Sequence, residues 1–272
     1  MSRVLIAGGT GVIGSRLAPL LRADGHEVAV SSRRSDRLSG LPDGTTGLVL
    51  DALDRGSVDA AVRAFRPDVV VHAFTDLSGL DWAANARLRT VGSRNLVEAC
   101  LAAGVDALVA QSVAWASVAG SGPADESTPA DPTAYAPVAS LEADVARMPR
   151  GVVLRLGILY GPGTFYAADG VAAESARAGM IRPTTRATDW LHVEDAAEAF
   201  RHALGWPSGP VFVVDDVPST VDEWAPVFAE RVGGRVDVIE PAPPGREASR
   251  SLASERGWRP GRPDWRVGLG LG

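Results

Sequence analysis

Three glycines spaced three apart stand near the start of the chain: Gly8, Gly11 and Gly14, in Ala7-Gly8-Gly9-Thr10-Gly11-Val12-Ile13-Gly14. The segment follows a short apolar run and opens an amphipathic one, so its G-x-x-G-x-x-G spacing reads as a strand–turn–helix cradle for a pyrophosphate. The turn must be tight, the backbone must touch the phosphates and the helix must pack close to the sheet; each demand favours a residue without a bulky side chain. The start of the helix offers unpaired N–H groups and a partial positive charge to the phosphates. Gly8, Thr10, Gly11, Val12, Ile13 and Gly14 are the expected contacts, with a glycine-rich structural turn as the plain alternative.

The end of the second expected strand bears on which dinucleotide fits. A carboxylate there would accept from a ribose 2′-hydroxyl, whereas this chain reads Ser31-Ser32-Arg33-Arg34. An arginine fork suits a 2′-phosphate that a carboxylate would repel, so NADPH/NADP+ is the expected cofactor over NAD(H), with Arg33 and Arg34 holding the phosphate. Asp51, followed by Ala52, could accept from the adenine amino group or serve as a turn aspartate before the next helix; both readings stand.

All 27 positive residues are arginine; the chain has no lysine. That excludes a lysine Schiff base, a Walker-type phosphate lysine and any dyad that needs an ammonium. A net charge of −6 argues against nucleic acid or an anionic membrane as partner. The single cysteine, Cys100, lies in an apolar helical stretch and reads as a buried small hydrophobe. The four histidines share no metal-ligand spacing, and no metal is expected. No apolar run is long enough to span a bilayer and the first residues lack a signal-peptide core, so a cytoplasmic location is expected.

The elements that position these residues follow from periodicity. Strands are expected at 3–7, 27–30, 47–50, 68–72, 107–111 and 151–156, with helices at 14–24, 58–65, 82–103 and 141–147. This βα alternation predicts an α/β fold: a Rossmann-type, doubly wound parallel sheet. Beyond residue 160 the pattern loosens to a helix at 193–204, a strand at 211–214 and a helix at 221–232. The expected organisation is a dinucleotide-binding domain over 1–160, with 189–215 returning to it, and a smaller substrate lobe from 161–188 and 216–272.

Several further segments carry a resemblance. Asp68–Ala73 (DVVVHA), Arg155–Gly163 (RLGILYGPG), Asp189–Ala196 (DWLHVEDA) and Gly257–Pro260 (GWRP), with the glycine motif, resemble the extended and atypical (epimerase/dehydratase-like) branch of the short-chain dehydrogenase/reductase superfamily over nearly the whole chain. The resemblance implies that Ala73 and Phe74 line the nicotinamide ribose and that Gly157, Ile158 and Leu159 lie beside the nicotinamide ring.

The same resemblance implies a catalytic Ser/Thr followed by Tyr-x-x-x-Lys, in which an ammonium one helical turn from the phenol lowers its pKa so that the tyrosine can pass a proton. Here the matching segment is Tyr135-Ala136-Pro137-Val138-Ala139-Ser140-Leu141-Glu142. In one register the lysine position is Ala139; in the other it is Ser140 and the tyrosine position is Ala136. Pro137 suits a first helical turn, which puts Tyr135 just before the helix. After the fifth strand, Val113 takes the catalytic serine position and Ser112 stands one residue earlier. Ser112 and Tyr135 are the catalytic candidates, in a chain whose cofactor half is intact and whose acid/base half is not.

The expected activity is an NADPH-dependent ketoreductase acting on a ketone of a small molecule such as an aromatic polyketide, with the proton supplied by water, by Ser112, by Tyr135 or by the substrate itself. A cofactor-binding sensor without turnover and a sugar-nucleotide epimerase or dehydratase are the alternatives. Trp82, Trp115, Phe74, Tyr160, Phe165 and Tyr166 fall near segments the resemblance places around the nicotinamide. They suit either a cleft for a flat polycyclic substrate or ordinary packing of the smaller lobe.

Overall fold

A computed structural model of the chain describes residues 1–75 and 81–269. In chain order the elements are β1 (Arg3–Ala7), α1 (Gly14–Ala23), β2 (Glu27–Ser32), β3 (Thr45–Val49), α2 (Arg55–Phe65), β4 (Val69–His72), α3 (Trp82–Arg87), α4 (Ser93–Ala103), β5 (Ala107–Val113), α5 (Ala136–Val145), β6 (Arg150–Leu156) and β7 (Ile158–Tyr160). There follow α6 (Val171–Arg177), β8 (Met180–Ile181), β9 (Ala187–Thr188), β10 (Trp190–His192), α7 (Val193–Ala203), β11 (Gly209–Val213), β12 (Ser219–Thr220), α8 (Val221–Arg231), β13 (Val238–Ile239), α9 (Ser251–Glu255) and α10 (Trp265–Gly268).

The chain forms two compact units. The first comprises residues 1–112, 130–154 and 197–211; the second comprises 113–129, 155–196 and 212–272.

A seven-stranded sheet has the order β11-β6-β5-β4-β1-β2-β3. β1 pairs in parallel with β2 and β4, β2 with β3, and β4 with β5, in registers such as Val4 opposite Val28 and Val69. β4 is buried at all four positions, as a strand covered on both faces must be. Leu5, Val70 and Leu108 of successive strands meet Phe65 of α2 and Leu96 of α4 in the first core. Cys100 belongs to that core; burial pushes its thiol up to about 12. Because the chain winds outward from β1 to β3 and then returns to the other side of β1 at β4, strand order reverses between β1 and β4. In such sheets ligands bind outside the strands' carboxyl ends at that reversal.

Between α3 and α4, residues 88–92 form a single π turn. The expected helix over 82–103 is therefore continuous but carries a local widening. Hydroxyls satisfy carbonyls there: Thr90 Oγ1 donates to Ala86 O at 3.0 Å, and Ser93 Oγ lies 3.4 Å from Leu88 O.

The second unit has its own core of aromatic rings. Trp190 meets Tyr160, Tyr166 and Trp224 edge-on, and Trp265 packs beside it. Edge-to-face contacts of this kind hold large rings in one arrangement. Packing therefore accounts for Tyr160 and Tyr166, and Trp115 and Phe165 are half-buried against the same cluster. Phe74 is buried in the first core and Trp82 is 63% exposed. Among the described residues no helix is long and apolar enough to cross a membrane.

Candidate functional site

The glycine cradle sits at the strand reversal. Gly8 has φ +86°, a conformation that favours glycine, and a Cβ there would come within 2.7 Å of Ala73 O. Gly8 N donates to Ser31 Oγ at 3.1 Å, and Ala73 N donates to Ala7 O at 2.9 Å, which ties together the ends of β1, β2 and β4. A Cβ on Gly14 would fall 2.5 Å from Gly9 Cα, the close helix–strand approach expected of the third glycine. Gly9 is a fourth position that tolerates nothing larger, since its Cβ would meet Val30 Cβ at 2.5 Å. The Gly8-Gly9 doublet was its only sequence signal.

Gly11 is exposed and closes the turn through its N–H to Gly8 O at 3.0 Å; a Cβ there would meet one atom, Gly8 O at 3.2 Å. The open side of the cradle is therefore at Gly11. Thr10 is half-buried, Val12 exposed and Ile13 buried as the residue before α1. α1 has no side-chain cap and no acid in its first turn, so its positive end is left for an anion. These residues fit a dinucleotide pyrophosphate.

At the end of β2, Ser31 and Ser32 are buried while Arg33 and Arg34 are exposed. Arg34 Nε donates to Asp36 Oδ1 at 3.1 Å, a pair that lowers the Asp36 pKa. Asp51 Oδ1 accepts from Leu53 N at 3.0 Å and its own N–H donates to Ser57 Oγ, as a turn aspartate does. Ala52 is buried, and its carbonyl accepts from Asn95 Nδ2 at 2.9 Å. Past β4, Ala73 and Phe74 are both buried beside the cradle. His72 is fully buried, 2.8 Å from Ser93 Oγ through Nε2 and edge-on to Phe74; burial lowers its pKa to about 4, so the ring is neutral.

The acid/base candidates are held differently from a Tyr–Lys pair. Ser112 is fully buried on β5, and its Oγ donates to Glu142 Oε1 on α5 at 2.7 Å. Sequence reasoning assigned Glu142 no role; thirty residues of separation leave no local trace of the pair. Tyr135 is the residue before α5, with Pro137 in the first turn as expected. Its phenol is raised in pKa by burial and by Asp131, the reverse of what a neighbouring ammonium does.

In the second unit, Gly157–Leu159 lead into and begin β7, which pairs in parallel with β10. A Cβ on Gly157 would lie 2.7 Å from Trp190 O. Nearby carboxylates are buried. Asp189 accepts from Ala248 N at 2.8 Å and pairs with Arg250, yet burial raises it to about 6. Asp215 is fully buried with the Tyr160 hydroxyl, the His192 backbone and Asp195 as polar neighbours, and burial raises it to about 8. A cleft of about 490 Å³ in this unit is lined by Phe212, Arg250, Ser254, Trp258 and Arg259 among others, and includes none of the catalytic or cofactor residues expected from sequence. Among the described residues no three His, Cys, Asp or Glu side chains gather as a metal site.

Residues 4–214 match the NAD dependent epimerase/dehydratase family. The chain belongs to that family. A 3-diazoavenalumate denitrifying reductase from a Streptomyces species is 40% identical, over 98% of this chain and 99% of that protein. The 2′-dehydrokanamycin reductase of Streptomyces kanamyceticus is 30% identical, over 74% of this chain and 58% of its own length. Among solved structures, the UDP-glucose 4-epimerase of Thermus thermophilus, in complex with NAD, is 28% identical with a TM-score of 0.76, covering 95% of this chain and 94% of its own. For this epimerase/dehydratase-family chain the cradle geometry and the family assignment agree, while the Tyr–Lys chemistry associated with the resemblance has no residues to perform it.

Proposed function

We propose that the chain is an NADPH-dependent reductase whose acceptor takes a hydride without drawing a proton from a Tyr–Lys pair, and that this acceptor is an aromatic diazo compound. One observation carries the reading: the acid/base position holds no ammonium, because the chain has no lysine. Tyr135, just before α5 with a raised phenol pKa, and the Ser112 hydroxyl, which donates to Glu142, fit it. When bound, the nicotinamide supplies the hydride. The net change of an aryl diazonium and a hydride to an arene and dinitrogen consumes no proton, so the missing lysine costs this reaction nothing. A nearly full-length relative named as a diazo denitrifying reductase supports it.

The chain's own residues bind and orient. Gly8, Thr10, Gly11, Val12, Ile13 and Gly14 present backbone to the pyrophosphate; Arg33 and Arg34 select the 2′-phosphate; Ala73 and Phe74 pack at the ribose; Gly157, Ile158 and Leu159 serve the nicotinamide. Orientation of donor against acceptor is the larger part of hydride transfer. The compartment in this reading is the cytoplasm.

A second reading, reduction of a ketone on a small molecule, draws on the 2′-dehydrokanamycin reductase relative and on Ser112 as a hydroxyl at the end of β5. Incubation with NADPH, an aryl diazonium carboxylate and a panel of aromatic ketones separates the two. Loss of NADPH absorbance with stoichiometric dinitrogen is expected for the diazo substrate. Oxidation by ketones alone establishes the second reading, and tight NADPH binding without turnover of either sinks both.

A further inference from the structure

The first unit holds a buried cation that none of the chemistry above uses. Arg89 lies on the π turn at 88–92 and is 8% exposed. Its Nη1 is buried with no hydrogen-bond partner, and no salt bridge is formed by its guanidinium among the described residues. Glu142 acts on it through charge, but that carboxylate already accepts from Ser112 Oγ. Burial lowers Arg89 to about 10, which leaves it cationic at neutral pH.

Such an arrangement is costly. A buried guanidinium with unsatisfied donors forfeits hydration without recovering it in hydrogen bonds. The fold nonetheless supports the position from several sides. Thr90 and Ser93 hydroxyls take up carbonyls around the π turn, Ser93 is tied to His72 at the end of β4, and α5 packs on the turn from the other side. Single π turns gather at functional sites because the extra residue re-aims a side chain. Here the re-aimed side chain shares its surroundings with the Ser112–Glu142 pair, on the β5–α5 segments that the resemblance makes catalytic.

We infer that Arg89 is the anion-binding residue of the substrate site, and that it receives a carboxylate carried by the aromatic acceptor. This rests on the reductase reading for the acceptor's identity as substrate, but not for the anion site itself. An incoming carboxylate supplies the acceptors that Nη1 lacks, and the guanidinium's fixed fork orients a planar acid at one end so that the reacting carbon is held at the other. Arg89 thus positions substrate and takes no part in hydride transfer. Nothing in the sequence singles it out, since an arginine in an amphipathic helix ordinarily faces solvent.

The test is calorimetric titration of the full-length protein saturated with NADPH, using 4-hydroxycinnamate and its uncharged methyl ester as probes. The unsubstituted protein is expected to bind the acid about tenfold or more tighter than the ester, the scale of one charge-assisted hydrogen bond. Arg89→Met abolishes that preference, Arg89→Lys restores part of it, and NADPH affinity stays within about twofold in both. Because the unliganded cation is a liability, Arg89→Met leaves the thermal midpoint of the ligand-free protein unchanged or raised. The inference is overturned if the unsubstituted protein binds acid and ester equally or binds neither at millimolar concentration. It is likewise overturned if Arg89→Met keeps the preference, loses NADPH affinity instead, or melts several degrees lower with selectivity intact. Binding needs no turnover, so failure of diazo reduction with Arg89-dependent acid binding rejects the reductase reading alone.

Discussion

Arg33 and Arg34 end at solvent just past β2, where the neighbouring Ser31 and Ser32 side chains are small and buried. A 2′-phosphate placed at the end of β2 would meet these guanidiniums, of which Arg34 already shares its fork with Asp36. Replacing both with alanine is expected to weaken NADPH binding by about 10- to 100-fold, the scale of one charged hydrogen-bond pair, while NADH affinity stays within about twofold. Fluorescence titration of both cofactors measures this; equal losses for the two would remove the 2′-phosphate assignment. Tyr135 makes a second residue-scale case. Its place before α5 and its raised phenol pKa leave it a poor proton donor, so Tyr135→Phe is expected to cost less than about tenfold in turnover, against the ~10²–10⁴ of a true general acid. A loss above about 10³ restores the tyrosine as the acid. The Ser112–Glu142 bond and the unpartnered Nη1 of Arg89 could not be read from the sequence at this scale, because both are made by tertiary contact between segments tens of residues apart.

Elements were far more legible than contacts. β1 runs over Arg3–Ala7 as the apolar run indicates, and β4 follows its uninterrupted valines. α5 starts at Ala136 instead of residue 141, because Pro137 is tolerated in a first turn and carries the helix five residues further back. The π turn within 82–103 is not legible in the sequence, whose apolar residues read as one continuous helix. The glycine cradle is where element geometry meets ligand, and its glycines have separable duties. Gly8→Ala places a Cβ against the Ala73 backbone in a left-handed conformation, so a loss of ~1–3 kcal/mol in stability is expected, read as a lowered melting temperature. Gly11→Ala meets one atom at 3.2 Å and should melt within a few degrees of the unsubstituted protein, yet weaken NADPH because it fills the open side. A Gly11→Ala protein with unchanged cofactor affinity would falsify the cradle assignment.

For the whole molecule, the two units place different demands on pH. In the second, Asp189 and Asp215 have folded pKa values of about 6 and about 8, both raised from 3.8 by burial. Between the unfolded and folded values the native chain holds protons that the unfolded chain has released, so stability falls as pH rises. The contribution of each is complete below 3.8; both decline up to about pH 6, and Asp215 alone continues to about 8. Asp215→Asn keeps the neutral form permanently, so its melting temperature should lose the decline between pH 6 and 8 that the parent shows. Superimposable pH profiles would mean that Asp215 titrates normally.

Cys100, sealed in the first core with its thiol raised to about 12, has a consequence for the molecule's chemical resilience. With no lysine in the chain and Tyr160 and Tyr166 both buried with raised phenol pKa values, the side chains that electrophiles most readily capture are missing, protonated or out of reach. The aryl diazonium acceptor proposed above is a reagent that couples to amines, thiolates and phenolates. Such an acceptor would meet few reactive side chains here; the one phenol partly open to solvent, Tyr135, is itself raised in pKa and stays protonated.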